Sequence, residues 1–415
     1  MKSRERILAA INHQIPDRVP IDLGGTPSSG MSAVTYHRLK QHLQMKGGKT
    51  LVYDVVQQLA QPEKEILDFA QADILDLGRL YNTQESDWYL TELHDIPHYY
   101  PNWFRPHKNI DGSFDVIDRD EDKIANMPSR GYFFDQTYFP YQSGYPTDFK
   151  DLPKAMTKVL WSALVHSPWD HAADPQFWGK LRENALKLRK STDKAIILSA
   201  GCNLFEWGTF LRGLDHFLVD MIKNPSIVNK LLDALMEKHL ENLEKICKSV
   251  GDIVDIIRLG DDLGTNDRPF MRPIIYRQLF KDRHKELCTY IKQHSQMHTF
   301  LHSCGAIAPL IPDIIECGFE IINPVQINCT GMDPETLKKE YGPKITFWGG
   351  GADTRNVLPR ATPEKVKEHV THLLKIFTPN GGYVFNQVHN LLPDVPPENI
   401  VAMYDAVHSF KMNSN

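Results

Sequence analysis

Short apolar and β-branched runs recur along the chain, and each stops on a glycine or a polar side chain. They are RVPIDLGG (18–25), ADILDLGRL (72–80), KAIILSAG (194–201), IVDIIRLGDDLG (253–264), HTFLHSCG (298–305), FEIINPVQ (319–326), KITFWGGGAD (344–353) and YVFNQVHN (383–390). Most are separated by a stretch in which apolar residues return every third or fourth position, the period of an amphipathic helix. SIVNKLLDALMEKHLENLEKICKSV (226–250) is the clearest, and TPEKVKEHVTHLLKIF (362–377) opens with the Thr-Pro-Glu of a helix start. Strands alternating with helices predict a parallel sheet, and eight such units predict an α/β fold of the closed (β/α)8 TIM-barrel type, one barrel domain across residues 1–415. The glycine-rich WGGGAD is not G-x-G-x-x-G and comes late in the chain, which disfavours a dinucleotide-binding sheet.

The rhythm breaks between residues 81 and 190. HYYPNWFRPHKNIDG, RGYFFDQTYFPYQSGYP and HSPWDHAADPQFW are rich in rings and proline. This region is expected to be a long insertion after the second strand, mostly loop and short helix, lying over the C-terminal mouth of the barrel. Its rings would suit a bulky, flat or apolar substrate, or would simply pack the insertion onto the barrel.

Composition narrows the function classes. Of 415 residues, 41% are hydrophobic and 24% charged, which is globular rather than disordered, and the net charge of −5 favours no nucleic-acid partner. No apolar run approaches the ~18 residues of a membrane span, and the N-terminus makes a poor signal peptide. Six cysteines at irregular spacing do not form a disulfide framework. A cytoplasmic protein with reduced thiols is expected, with Cys247, Cys288 and Cys317 as small buried hydrophobes.

In such a barrel the chemistry comes from the C-terminal ends of the strands. That filter selects Asp22, Arg79, Cys202, Asp261, Asp262, His302, Cys304, Gln326, Asn328, the Gly349–Gly351 run with Asp353, and His389 with Asn390. Residues two apart in a strand share a face, so His302 and Cys304 stand together at the rim, while Thr299 and Leu301 face the covering helices. His389 holds the same kind of position about 85 residues on. Two nitrogens and a sulfur suit zinc, and three protein ligands leave one position open, as in catalytic sites. One of Asp261 and Asp262 must face the mouth, as a fourth ligand, a partner that orients a histidine, or an acid or base; the alternative is a helix cap or loop salt bridge. Gly350 and its neighbours would expose amides able to cradle an anion, or would make a tight turn. Asp22, Arg79, Asn328 and Asp353 are candidate substrate contacts.

RVPIDLGGTPSSG, YDVVQQLAQPE, DDLGT…PFMRPIIYRQLF, LHSCGAI, FWGGGADT and VHNLLPDVPPENI together resemble the uroporphyrinogen decarboxylase superfamily across nearly the whole chain. The resemblance implies a (β/α)8 barrel. The decarboxylases themselves carry an N-terminal Arg-Gln-Ala-Gly-Arg-Tyr signature that is absent here, with IDLGGTPSSG near its place. The other branch, which includes methylcobalamin:coenzyme M methyltransferase, binds zinc through His-x-Cys and a later cysteine. His302 and Cys304 match the pair, and His389 stands about where the cysteine is expected. The resemblance therefore implies a corrinoid-linked methyltransferase acting on a small thiol or methoxylated compound. Zinc would lie on His302, Cys304 and His389, with Asp262 or Asp261 as the catalytic carboxylate. No D-x-H-x-x-G module is present, so a corrinoid (methylcobalamin) would arrive on a separate corrinoid protein. A homodimer is compatible with this class of barrel. The alternative is a metal-free carboxy-lyase, which requires a basic cluster at the mouth from Arg79, Arg258 or Arg268.

Overall fold

The computed structural model describes residues 1–160 and 171–412. Seven parallel strands form one curled sheet: β2 (Ile74–Asp76), β3 (Ala195–Gly201), β4 (Ile256–Gly260), β5 (His298–His302), β6 (Ile321–Asn323), β7 (Thr346–Trp348) and β8 (Tyr383–Val384), each paired with the next in sequence. Residues 20–22, here β1, fill the gap between β8 and β2. The Asp22 amide donates to Phe385 O at 2.8 Å, Phe385 N to Pro20 O at 2.8 Å, and Asp73 N to Ile21 O at 2.8 Å. The barrel thus closes through a segment too short to be a full strand.

Charge reinforces that seam. Asp73 is fully buried, accepts from Arg6 Nη1 at 2.6 Å and Arg18 Nη1 at 2.8 Å, and also takes the Ile21 amide at 3.0 Å. Arg6 lies on the N-terminal helix Ser3–Ile11, which stoppers the barrel floor. Its Ile7, Ala10 and Ile11 pack with Ile74, Ile197, Ile256, Phe300, Trp348 and Val384, the inward residues of the strands. The outward residues, Leu301 among them, form the larger core beneath the helices. The two helices read from periodicity run Pro225–Val250 and Pro363–Phe377, the second capped by Thr362.

The insertion differs from the loop-and-short-helix expectation. It holds an antiparallel hairpin, Trp88–Leu93 with Ile96–Pro101, and a four-stranded antiparallel sheet from His107–Lys108 to Asp135–Gln136. The long helix Pro175–Ser191 then returns to the barrel. Tyr100, Phe104 and Phe134 form a separate core with Ile124 and with Val52 and Val55 from the chain before the insertion, so these rings are packing rather than substrate surface. HSPWDHAADPQFW lies partly outside the described residues. Asp118, Asp120 and Asp122 surround the Lys158 ammonium at 3.4, 2.9 and 2.6 Å, and Asp118 Oδ1 also takes the amides of the other two aspartates. No helix among the described residues is long and apolar enough to cross a membrane.

Removing one partner of a buried ion pair leaves the other charge uncompensated. Asp73→Ala is therefore expected to lower unfolding free energy by about 3–5 kcal/mol, measured by urea denaturation. Loss below ~1 kcal/mol, the scale of a surface pair, would show that closure does not depend on it.

Candidate metal centre

The inward face of β5 carries Phe300 on the floor and His302 at the rim, and Cys304 follows two residues on. A thiol at this position needs the chain to turn tightly. Gly305 has φ 94° and lies so near Gly264 that a Cβ there would meet the Gly264 carbonyl carbon at 2.3 Å. The glycine admits the neighbouring backbone, and the contact holds the Cys304 loop against the loop after Asp262. Gln326 Oε1 takes the Gly305 amide at 2.7 Å.

His302 Nε2 and Cys304 Sγ are 3.4 Å apart. The His389 ring lies 5.7 Å from that of His302, centroid to centroid. One ligand atom from each of the three residues falls within 4.8 Å of the other two. A tetrahedral zinc with bonds of about 2.0 Å to nitrogen and 2.3 Å to sulfur leaves the two donors about 3.5 Å apart, so the His302–Cys304 spacing suits that ion.

The tautomer of His302 is set by its neighbour in register, Asn323 on β6. Asn323 Nδ2 donates to Trp348 O at 2.8 Å, which fixes the amide orientation and leaves Oδ1 as acceptor. His302 Nδ1 lies 2.6 Å from that oxygen and must donate to it, so Nε2 keeps its lone pair towards Cys304. Ser28 Oγ donates to the same Oδ1 at 2.9 Å, and Trp348 Nε1 donates to Asp22 Oδ2 at 2.8 Å. Burial pushes His302 down to about 3 and His389 down to about 4, with Arg258 adding to the first and His302 to the second. Both rings are neutral, as ligands must be. Burial, and then the charge of Asp262, hold the Cys304 thiol well above its ordinary value. It is the only half-buried cysteine; Cys202, Cys247, Cys288, Cys317 and Cys329 are buried.

The two adjacent aspartates divide. Asp262 is half-buried, accepts the Cys304 amide at 2.9 Å and stands 3.5 Å from His302 Nε2. Asp261, expected as an alternative catalytic carboxylate, points away. It accepts the amides of Phe205 and Glu206 at 3.0 and 2.9 Å, capping the helix Phe205–Arg212, and lies 3.2 Å from His284 Nε2. The strand period allows only one of two neighbours to face the mouth.

The other predicted contacts do not join this group. Asp22 is fully buried, bonded to Trp348 and the Gly25 amide, and burial raises it to about 6. Arg79 donates to Pro62 O at 3.1 Å. Asn328 and Asp353 bond each other at 2.9 Å, and Asp353 also accepts the amides of Arg355 and Asn356. The anion cradle around Gly350 is not formed as expected, because Gly349 N and Gly351 N are used by Val384 O and Asn386 O in the continued pairing with β8. Asn390 ties Gly30 N and Pro27 O.

Sequence reasoning missed Asn323, which sits in the quoted FEIINPVQ ahead of the polar residue that ends the run, Gln326, and it missed Glu206. Glu206 Oε2 accepts the Asp262 amide at 3.1 Å, and burial with the nearby charges of Asp262 and Asp261 raises its pKa well above the usual range. Its position early in a helix after β3 gave no periodic signal.

The family description Uroporphyrinogen decarboxylase (URO-D) matches residues 200–410, just over half the chain. The chain belongs to the uroporphyrinogen decarboxylase family. Curated relatives include the uroporphyrinogen decarboxylases of Vesicomyosocius okutanii, 36% identical over 77 residues (18% of this chain, 21% of that protein), and Psychromonas ingrahamii, 44% identical over 84 residues (20% and 22%). The chain thus spans about a fifth of the length of the curated relatives it matches. A methyltransferase from Methanosarcina mazei superposes over 98% of both chains with a TM-score of 0.57 at 15% identity, which shows a shared fold. This member of the uroporphyrinogen decarboxylase family carries its His-x-Cys on β5 and His389 beyond β8 within the segment that the family description covers.

Two outcomes follow for the uroporphyrinogen decarboxylase-family chain. Asn323→Ala frees the His302 tautomer and is expected to weaken zinc binding by about 10–100-fold in a competition titration with a chromophoric chelator; unchanged affinity would remove Asn323 from the centre. Asp261→Ala is expected to cost about 2–4 kcal/mol in denaturant unfolding with zinc stoichiometry unchanged, whereas loss of metal at full stability would reverse the assignment of the two aspartates.

Proposed function

We propose that this chain is a zinc-dependent methyltransferase that moves a methyl group between a small substrate, a thiol or a methoxylated compound, and a corrinoid held on a separate protein. The observation that carries the reading is the convergence of one ligand atom each from His302, Cys304 and His389 within 4.8 Å. Zinc bound there would supply Lewis acidity towards a substrate heteroatom and one open coordination position.

The chain's own residues have distinct tasks. Asn323 keeps the proton on His302 Nδ1 and aims Nε2 at the site. His389 is a nitrogen donor where the resembling methyltransferases carry a sulfur one, and a set richer in nitrogen suits an oxygen-bearing methyl donor at least as well as a thiol. Asp262, 3.5 Å from His302 Nε2, is within reach to orient a ligand or exchange the proton of the substrate heteroatom. The strand ends position the methyl group and limit water.

The carboxy-lyase alternative required several arginines at the mouth. Arg268 is exposed, so any such cluster reduces to Arg258 and Arg79, both of which act on the carboxylate of Asp76. That is less positive charge at the mouth than the alternative calls for.

Metal analysis of purified protein tests the proposal. About one zinc per chain is expected, lost in His302→Ala, together with methylation of free cob(I)alamin by a methoxylated or thioether donor that falls away in the same variant. Metal-free protein with full turnover, or zinc indifferent to His302→Ala, would overturn it.

A further inference from the structure

Arg258 lies on the inward face of β4, opposite Phe300 on β5 and Ser199 on β3 in the strand register. It is 8% exposed, and its Nε is buried without a hydrogen-bond partner. Among the described residues no ion pair or hydrogen bond reaches any of its three nitrogens. Ser199, directly beside it, is 2% exposed and its hydroxyl is likewise unbonded. Asn386, two residues past the inward Val384, has neither amide atom bonded. Buried polar groups are nearly always paired, and the Arg258 charge is met only at a distance, by Glu206 and Asp262, with no ion pair to either. Three such groups on the inner wall of one barrel point to a partner that is not part of the chain.

The nearby acids do not fill the role. Glu206 Oε2 holds Asn203 Nδ2 and the Asp262 amide, and Asp262 Oδ1 holds the Cys304 amide. Asp54 is taken by Val56 and Gln57, and Asp76 caps Gly78. Arg258 nevertheless acts electrostatically on His302, His389, Cys304 and Asp262, so its charge is felt at the metal ligands. A planar fork of donors matches a carboxylate in bidentate geometry.

We infer that the substrate handled at this mouth carries a carboxylate, and that Arg258 receives it with help from the Ser199 hydroxyl. This rests on the proposed function in taking the mouth as the substrate site, and it narrows the substrate from any small thiol or methyl ether to an acid. The carboxylate on Arg258 and the heteroatom at the His302–Cys304–His389 centre make a two-point attachment, which fixes which end of the molecule meets the corrinoid. Arg258 is thereby a specificity-determining residue distinct from the centre.

The test is calorimetric titration of the purified full chain with matched acids and amides: benzoate and benzamide, 4-methoxybenzoate and 4-methoxybenzamide, 3-mercaptopropionate and 3-mercaptopropionamide. At least one acid is expected to bind about 10–100-fold tighter than its amide. Arg258→Gln abolishes that preference, and Arg258→Lys keeps part of it because the charge remains without the fork. The preference should persist in His302→Ala, where an acid ligating the metal could not imitate it. Acids and amides bound alike, no acid bound at all, or a preference that survives Arg258→Gln in folded protein overturns the inference. Zinc content and cob(I)alamin methylation are read separately, so failure here leaves the methyltransferase reading standing, and absence of zinc leaves the acid preference intact.

Discussion

The structure depends on closing an eight-place barrel with seven regular strands. The eighth place is held by three residues, 20–22, whose backbone bonds reach Phe385 on one side and Asp73 on the other. So short a segment contributes few ladder bonds, and the buried Asp73 with Arg6 and Arg18 adds the charge-assisted ones that β1 lacks. Because Arg6 belongs to the helix that stoppers the floor, floor and seam are one unit. The curl that closure imposes also brings the ends of β5 and β8, three places apart along the sheet, to face each other across the mouth.

Around that mouth the hydrogen bonds run as a chain. Asp22 on β1 holds the Trp348 indole on β7, the Trp348 carbonyl holds Asn323 on β6, and Asn323 holds His302 on β5. Each link fixes the orientation of the next, and the last decides which imidazole nitrogen is free. The sequence offers Asp22 as a substrate contact, and its position at the far end of this chain explains why a polar residue stands there without touching His302, Cys304 or His389.

Much of this was legible in the residue pattern. All eight strand runs, the two quoted helices and the meeting of His302, Cys304 and His389 follow from period-two and period-3.6 spacing and from the rule that chemistry gathers at strand ends. The rest was hidden for identifiable reasons. Alternation says that one of Asp261 and Asp262 faces in, but only the register of β4 against β5 says which. Asn323 reads as the polar end of an apolar run until its cross-strand partner is known. The stoppering helix carries a weak amphipathic pattern because the barrel floor surrounds only part of it. The insertion's short antiparallel strands are masked by aromatic residues and prolines that break regular alternation.

Within the insertion, the Lys158 ammonium sits where three aspartates at alternate positions converge. Loops of alternating carboxylates often gather round a divalent ion. Here the positive charge is covalently attached to the chain itself, so it can be neither diluted away nor extracted by a chelator. The outer sheet is therefore anchored by a charge the chain itself carries, independently of ionic supply.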